Sequence, residues 1–251
     1  MNTFNLYRIK IGCSVLLVVM LVLPAELVIA EEQQETVKSK QLVMQNTFVY
    51  KPPLRGAPGA RVGAGTRGEG LNGPRLYVLT PDHAGMTVNA QPDLYWYVSE
   101  PVDARYQFAI IEDATLKTVL ETEPTKVTSA GIQKISLKDH GFNLQRGVEY
   151  QWFVSVIDEK KSRSADIVAS SFIERVEITH RLAERLATGK LENGEKAIIL
   201  AEESIWYDAI ASISASIKLK PRDKNLREMR AALMEQVGLQ EVADYDRKIL
   251  N

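Results

Sequence analysis

The sequence predicts a mainly β protein with an α-helical tail, in which a β-sandwich is followed by a helical hairpin. Short alternating apolar runs recur about every ten residues between positions 76 and 175, which is typical of an all-β domain. After Arg175 the apolar residues change to a helical period. Cys13 is the single cysteine of the chain, so we expect each domain to be stabilised by its own core without disulfides.

The first thirty residues have the pattern of an export signal. Arg8 and Lys10 precede an apolar run at 14–23, and small residues at 28–30 offer a cleavage point. A membrane-spanning helix needs about twenty apolar residues, so a retained anchor is the weaker alternative. We expect cleavage before Glu31, membrane contact only through the signal peptide before cleavage, and a protein that is exported, periplasmic or secreted.

Composition and charge limit the possible functions. The chain carries 31 basic and 32 acidic residues with no basic stripe, so we expect no nucleic-acid partner. Its 45% hydrophobic and 25% charged residues are typical of a globular protein. Composition divides the chain into a signal peptide (1–30), a polar leader (31–49), a coil rich in Gly, Pro and Arg (50–75), a β-sandwich domain (76–175) and a helical domain (176–251).

The coil contains the sequence Gly63-Ala64-Gly65-Thr66-Arg67-Gly68, which has the form of a dinucleotide-binding loop. Such a loop needs a strand before it and a helix after it, so that amides and the helix dipole face the pyrophosphate. The flanks at 52–59 and 69–74 are rich in Gly and Pro and predict neither element. We therefore expect no nucleotide and no other cofactor.

Three interpretations of this coil remain open. It is a packed coil whose arginines pair with carboxylates, a tether, or an anion-binding nest of backbone amides with Arg61 or Arg67. Its candidate interaction residues are Arg55, Arg61, Thr66 and Arg67.

The β region alternates in a way that assigns faces. Strands are predicted at 76–79, 86–88, 94–98, 106–111, 118–122, 132–137, 148–157 and 167–173. Trp96 faces the core, and Tyr95 and Tyr97 share the opposite face. Exposed, these tyrosines would stack on sugar rings or on a partner chain, and they complete the candidate interaction surface. We favour the alternative in which the coil or the helical tail covers them as a second core.

One motif specifies the type of sandwich. The sequence from Leu144 to Trp152 has the form L-x-x-G-x-x-Y-x-W, with Tyr150 at the start of a late strand. It resembles the tyrosine corner of immunoglobulin-like and fibronectin type III domains, in which the tyrosine hydroxyl bonds an upstream backbone group.

The helical region predicts segments that end at Gly189, near Ala201, at Pro221, at Gly238 and near Leu250. The sequence Tyr207-Asp208-Ala209, Pro221 and Gly238 fall near tetratricopeptide spacing. Only about one repeat is covered and a solenoid needs about three, so we expect a tetratricopeptide-like hairpin and not a peptide-binding array.

Metal binding has one weak candidate. Glu177, His180 and Glu184 lie three and four positions apart, so a helix would present them on one face. A carboxylate-bridged di-metal site needs matching ligands on further helices, and no second E-x-x-H occurs. We expect a solvated face with helix pairs such as Glu184 with Arg181, and no metal.

Catalytic residues are not indicated either. A serine nucleophile needs a histidine base, and the chain has no G-x-S-x-G. His83 follows Asp82 and His140 follows Asp139, both in contexts where turn chemistry is the simpler explanation. No pair of carboxylates is singled out for a glycosidase.

Several short motifs together resemble a known family. They are Pro52-Pro53-x-Arg55-Gly56-Ala57-Pro58-Gly59, Gly63-x-Gly65-Thr66-Arg67-Gly68, Leu79-x-Pro81, Thr87 with Pro92, Tyr95-Trp96-Tyr97, Gly147-x-x-Tyr150-x-Trp152 and Ile205-Trp206-Tyr207-Asp208-Ala209. In this order they resemble the domain of unknown function 928 family of bacterial exported proteins, although Ile205 stands where a glycine is expected. The resemblance implies export and implies no reaction or catalytic residue.

The function expected from the sequence is that of a non-catalytic exported or periplasmic protein. It would act as a module that binds a partner protein or an envelope component. The alternatives are a hydrolase that acts on envelope polymers and a carbohydrate-binding module.

Overall fold

The computed structural model describes residues 48–53, 74–101, 104–127, 129–157, 166–188, 191 and 194–249. They belong to one compact unit that spans 43–251. Within these residues, nine strands and five α-helices contain about equal numbers of residues.

The strands occupy the first part of the described chain. They are β1 (Leu76–Val78), β2 (Gly85–Thr87), β3 (Asp93–Val98), β4 (Ala104–Glu112), β5 (Lys117–Glu121), β6 (Thr125–Val127), β7 (Gly131–Ser136), β8 (Glu149–Ile157) and β9 (Ile167–Arg175). All eight predicted strands begin and end within two residues of these bounds, whereas β6 was not predicted.

The helices follow the strands. They are α1 (His180–Ala187), α2 (Glu195–Glu202), α3 (Trp206–Leu219), α4 (Lys224–Gln236) and α5 (Gln240–Lys248). Asp223 begins α4 because its carboxylate accepts the amides of Asn225 and Leu226 at 3.0 and 3.3 Å. None of the helices in the described ranges combines the length and apolar content that crossing a membrane would take.

The strands form two sheets. A three-stranded antiparallel sheet has the order β1-β3-β7, and a six-stranded sheet has the order β2-β9-β8-β4-β5, with β6 also paired to β4. In the larger sheet β2 pairs with β9 in parallel and the other pairs are antiparallel, so this sheet is mixed. From Glu149 to Val156 of β8, buried side chains alternate with half-buried ones as predicted: the buried set is Tyr150, Trp152, Val154 and Val156.

Strand β3 is covered on both faces. Trp96 faces the six-stranded sheet, where its ring centroid lies 6.2 Å from that of Tyr106. Tyr97 faces α5, where its ring lies 5.0 Å from the ring of Tyr245. All five residues from Leu94 to Val98 are therefore buried, which a strand exposed to water on one face would not show.

Three consecutive residues at the start of α3 form side-chain hydrogen bonds to the strand region. The indole Nε1 of Trp206 donates to the Leu79 carbonyl at 2.8 Å, and the Tyr207 hydroxyl donates to the Phe172 carbonyl at 2.8 Å. The carboxylate of Asp208 accepts from the Thr87 hydroxyl at 2.6 Å. The helical region is therefore part of the main core and not an appended tail.

The predicted fold class is wrong. Helix and strand are about equal, one sheet is mixed, and neither an immunoglobulin-like sandwich nor a tetratricopeptide hairpin is found in the described part of the chain. The contact expected of Tyr150 is present, because the Gln145 amide donates to its hydroxyl at 3.3 Å. That local contact does not determine the fold, because periodicity predicts which residues are buried and not what covers them.

Candidate functional site

Residues 48–53, here called the strap, cross the helical region without regular secondary structure. Their side chains alternate as in an extended chain. Phe48 and Tyr50 are only 3% and 6% exposed, whereas Val49 is 45% exposed and Lys51 also faces solvent. The strap is therefore bound through two aromatic side chains that lie two positions apart.

Gln236, the last residue of α4, binds the main chain of the strap. Its Nε2 donates to the Phe48 carbonyl at 2.9 Å, and its Oε1 accepts from the Tyr50 amide at 2.8 Å. One side-chain amide thus supplies a donor and an acceptor, as the peptide group of a neighbouring strand would. This pair fixes the register of the strap because it recognises main-chain atoms.

The end of α2 binds the next residue of the strap. The Lys51 amide donates to the Ala201 carbonyl at 3.1 Å, and the Lys51 carbonyl accepts from the Ser204 hydroxyl at 2.7 Å. We call the surface formed by Ala201, Ser204, Trp206, Gln236 and His83 the groove.

Ser204 has an unusual backbone conformation. Its φ of 67° lies in the left-handed region, where a helix end commonly has glycine. A residue with a Cβ carries a strain of about 1–2 kcal/mol there. The hydroxyl that a glycine would lack is the group that binds the strap, so the strained position also serves the groove.

The Tyr50 side chain makes the most specific contact. Its ring packs edge-on against Trp206, with centroids 4.7 Å apart, and its hydroxyl lies 2.8 Å from His83 Nε2. His83 Nδ1 lies 3.4 Å from the Asp82 carboxylate. Burial first, and then the charge of Asp82, raises the pKa of Tyr50 above its ordinary value, so the hydroxyl stays protonated. In the tautomer with a proton on Nδ1, it donates to His83.

The residues singled out from the sequence are placed as follows. Arg55, Arg61, Thr66 and Arg67 lie outside the described residues. Tyr95 and Tyr97 are buried, at 8% and 5% exposure, so their environment matches the covered alternative rather than the exposed one.

The surroundings of these two tyrosines agree with their burial. Burial and then Asp93 raise the pKa of Tyr95 to about 12, with Arg230 and Ser214 opposing the rise. Burial and then Glu241 raise the pKa of Tyr97 to about 12. Both rings lie under the helical region.

The predicted helix face with Glu177, His180 and Glu184 does not exist as such, because Glu177 precedes the first residue of α1. Glu177 pairs with Arg146 at 2.8 Å, and His180 lies 3.4 Å from Glu184. The expected pair of Glu184 with Arg181 is replaced by an ion pair of Arg181 with Glu203 at 2.5 Å. Across the described ranges, no three His, Cys, Asp or Glu side chains are grouped for a metal ion.

Sequence reasoning missed the groove for two reasons. The boundary between leader and coil was placed at position 50, which divides the strap. The partners of the strap lie 33 to 188 positions away in sequence, so no local period reveals them. One signal was available: two aromatic residues, Phe48 and Tyr50, lie two positions apart just before Lys51-Pro52, and a residue before proline favours an extended chain.

Three comparisons with known proteins give one informative result. A family model described as Domain of Unknown Function (DUF928) matches residues 62–246. No curated protein matches the chain. Among solved structures, the chain is similar to a multi-domain immunophilin from Arabidopsis thaliana at 7% identity, over 78% of this chain and 97% of that one, with a TM-score of 0.16. A TM-score this low carries no argument about fold or function.

Proposed function

Because the chain belongs to the family Domain of Unknown Function (DUF928), whose description assigns no reaction, we propose that it is a non-catalytic exported protein that binds a partner protein or an envelope component. The observation that carries this proposal is the groove, which holds an extended polypeptide segment through main-chain hydrogen bonds and two buried aromatic side chains.

The two kinds of contact contribute differently to binding. Each aromatic side chain removed from water contributes about 1.5–3 kcal/mol. Each main-chain hydrogen bond contributes about 0.5–1.5 kcal/mol net. The two aromatic side chains and the four main-chain hydrogen bonds therefore contribute comparable amounts, and Gln236 and Ser204 also set direction and register. Binding an extended chain by its backbone with pockets for alternate side chains is an established mode of peptide recognition.

The proposed export depends on the signal pattern of residues 1–30. Expression of the full chain in a bacterial host, with fractionation and N-terminal sequencing, tests it. We expect a mature protein outside the cytoplasm that begins at Glu31. Recovery of uncleaved protein from the cytoplasm would contradict export.

Site-specific photo-cross-linking tests the binding function. Asp82 is exposed and adjoins His83 at the groove, so we place p-benzoylphenylalanine there in the exported chain. The chain also carries Phe48→Ala/Tyr50→Ala, so that its own strap does not compete for the groove. We expect discrete adducts with an envelope protein or polymer, and fewer of them when Gln236→Ala is added. Gln240→Ala is the matched control, because Gln240 is exposed and bonds Glu235 and Asp244 instead of the strap. Adducts that do not depend on Gln236 would count against the groove.

A hydrolase is the second candidate, and one observation favours it: the Asp82–His83 pair lies beside the Tyr50 hydroxyl. The raised pKa of Tyr50 makes this hydroxyl a weak nucleophile, and Asp82 is mostly exposed to water. Release of soluble fragments from purified envelope polymers measures this activity. Release that His83→Ala abolishes would establish the enzyme instead of the binding module.

A further inference from the structure

Building on the proposed binding function, we propose that the ligand of the groove is an extended polypeptide segment that must displace the strap. Its pattern is an apolar residue, any residue, tyrosine, and any residue except proline. The strap shows which chemical features the groove recognises. It is also a permanent competitor, because it belongs to the same chain.

The pattern follows from the strap position by position. The first position needs an apolar side chain, because Phe48 is buried. The second accepts any residue, because Val49 is largely exposed. The third needs a tyrosine, because its ring packs on Trp206 and its hydroxyl reaches His83.

The fourth position of the pattern is read only through the main chain. Lys51 bonds Ala201 and Ser204 by its amide and carbonyl, while its side chain is exposed. A proline is excluded here because it has no amide hydrogen to donate to Ala201. The ligand is thus specified by two side chains and by a continuous extended backbone.

The strap competes with an external segment for the groove because the strap belongs to the same chain as the groove. A segment tethered to its own groove has an effective concentration on the order of mM, whereas a ligand from solution is far more dilute. If the strap fills the groove in about 99% of molecules, the apparent affinity of an external segment falls about a hundredfold. Because of this competition, an external segment that is scarce or matches the pattern poorly does not bind to the groove.

The test measures binding of a fluorescein-labelled synthetic peptide, with the sequence of residues 46–53, to the full mature chain by fluorescence polarisation. We expect Phe48→Ala/Tyr50→Ala to bind this peptide about a hundredfold more tightly than the unaltered chain, because its strap lacks both side chains that hold it. Val49→Ala is the matched control and should bind as weakly as the unaltered chain.

Specificity is tested in the same assay. Adding Gln236→Ala to the double variant should weaken peptide binding at least about tenfold, through loss of two main-chain hydrogen bonds. A peptide with alanine in place of both aromatic residues should show the same or a greater loss. Equal binding of the aromatic and alanine peptides would overturn the pattern.

A second design keeps every groove contact intact. A site for a specific protease is inserted between Gly63 and Ala64, and peptide binding is compared before and after cleavage. We expect tighter binding after cleavage, because the strap then dissociates on dilution. Near-ultraviolet circular dichroism checks that each protein is folded. If Phe48→Ala/Tyr50→Ala is unfolded, the cleavage experiment alone tests whether the strap competes with the peptide.

Three outcomes overturn the inference without deciding the proposed function. One is equal peptide affinity with the strap held and with it released. Another is absence of peptide binding by any folded form while the adducts from position 82 persist. The third is a dimer of the unaltered chain that Phe48→Ala dissociates, since the strap of a second copy would then fill the groove.

Discussion

Gln236 and Phe48 are joined by a hydrogen bond of 2.9 Å although they lie 188 positions apart in the sequence. The same glutamine accepts the Tyr50 amide, so a single side chain at the end of α4 holds two main-chain groups of the strap. Residues 48–53 are not part of a β-sheet, so their attachment depends on a few side chains that can be changed one at a time.

The first prediction concerns Gln236→Ala. The change leaves the Phe48 carbonyl and the Tyr50 amide without their partner, and we expect a loss of about 1–2 kcal/mol in the docking free energy of the strap. Hydrogen exchange at the Tyr50 amide should become about ten times faster, while exchange in β8 stays unchanged. Gln240→Ala is the control, and equal acceleration by both changes would contradict this role of Gln236.

Ser204→Gly separates backbone strain from strap binding. Glycine relieves the strain of φ 67°, about 1 kcal/mol, and removes the hydroxyl that bonds Lys51, a loss of similar size. We expect a urea midpoint within error of the unaltered protein, with faster hydrogen exchange at Tyr50 and Lys51. Unchanged exchange in the strap would mean that the hydroxyl does not hold it.

Tyr207→Phe tests the attachment of α3 to the larger sheet. The Tyr207 hydroxyl accepts from the Trp152 indole and donates to the Phe172 carbonyl, both at 2.8 Å. Removing it leaves the buried Trp152 indole without its acceptor and takes a donor from the Phe172 carbonyl, so we expect a loss of about 1–3 kcal/mol in unfolding free energy. Tyr106→Phe is the matched control, because the buried Tyr106 hydroxyl has no hydrogen-bond partner among the residues that the structure describes, and this change should be neutral or stabilising. Equal losses would contradict the argument.

Asp246→Ala tests the buried ion pair that joins α4 to α5. Arg230 donates to both carboxylate oxygens of Asp246 at 2.7 Å, and both side chains are buried. Loss of the carboxylate leaves the buried Arg230 guanidinium without its counter-ion, so we expect a loss of about 3–5 kcal/mol, measured by urea unfolding. Asp139→Ala, at an exposed position, should cost far less, and a small effect of Asp246→Ala would mean that water or another acidic group compensates Arg230.

Glu235 should make stability depend on pH at the acidic end. The Arg247 guanidinium, bonded to this carboxylate, lowers the pKa of Glu235 to about 2. A lowered folded-state pKa stabilises the fold above the ordinary value of 4.5, and this contribution is lost as the pH falls toward 2. Because the carboxylate is about a third exposed, the effect is about 0.5–1 kcal/mol.

The measurement compares Glu235→Gln with the unaltered protein in urea at several pH values. We expect the stability difference at pH 7 to disappear near pH 2. Glu100→Gln, at an exposed position, should show no difference at either pH. A difference for Glu235→Gln that persists at the lowest pH would come from packing and not from ionisation.

Local structure was largely predictable from this sequence, and the fold class was not. Alternation located β8 and its buried face, and the helical period located α3. The alternation in β3 did not show what covers Tyr95 and Tyr97. In a two-layer sandwich with a separate tail this face would be open to solvent, whereas here the helices cover it. A contact such as Tyr97 with Tyr245 joins elements across 148 positions, and no local period encodes it.

The candidate site was predictable only in fragments. Asp82 and His83 were noted as neighbours, and their third partner, Tyr50, was assigned to a coil. Recognition of the groove needs the side chain of Gln236 and the turn at Ser204, which come together only in the folded chain. A glutamine at the end of a helix looks in sequence like any other solvated residue.

The long separation between strap and groove orders events during synthesis. Phe48 and Tyr50 leave the ribosome well before Gln236 exists, so the nascent chain carries two unburied aromatic side chains until its last helices are complete. The strap is therefore buried late, only after the residues that bind it have been synthesised. A product truncated before α3 lacks both Trp206 and Gln236, so we expect its two rings to stay exposed to chaperones and proteases.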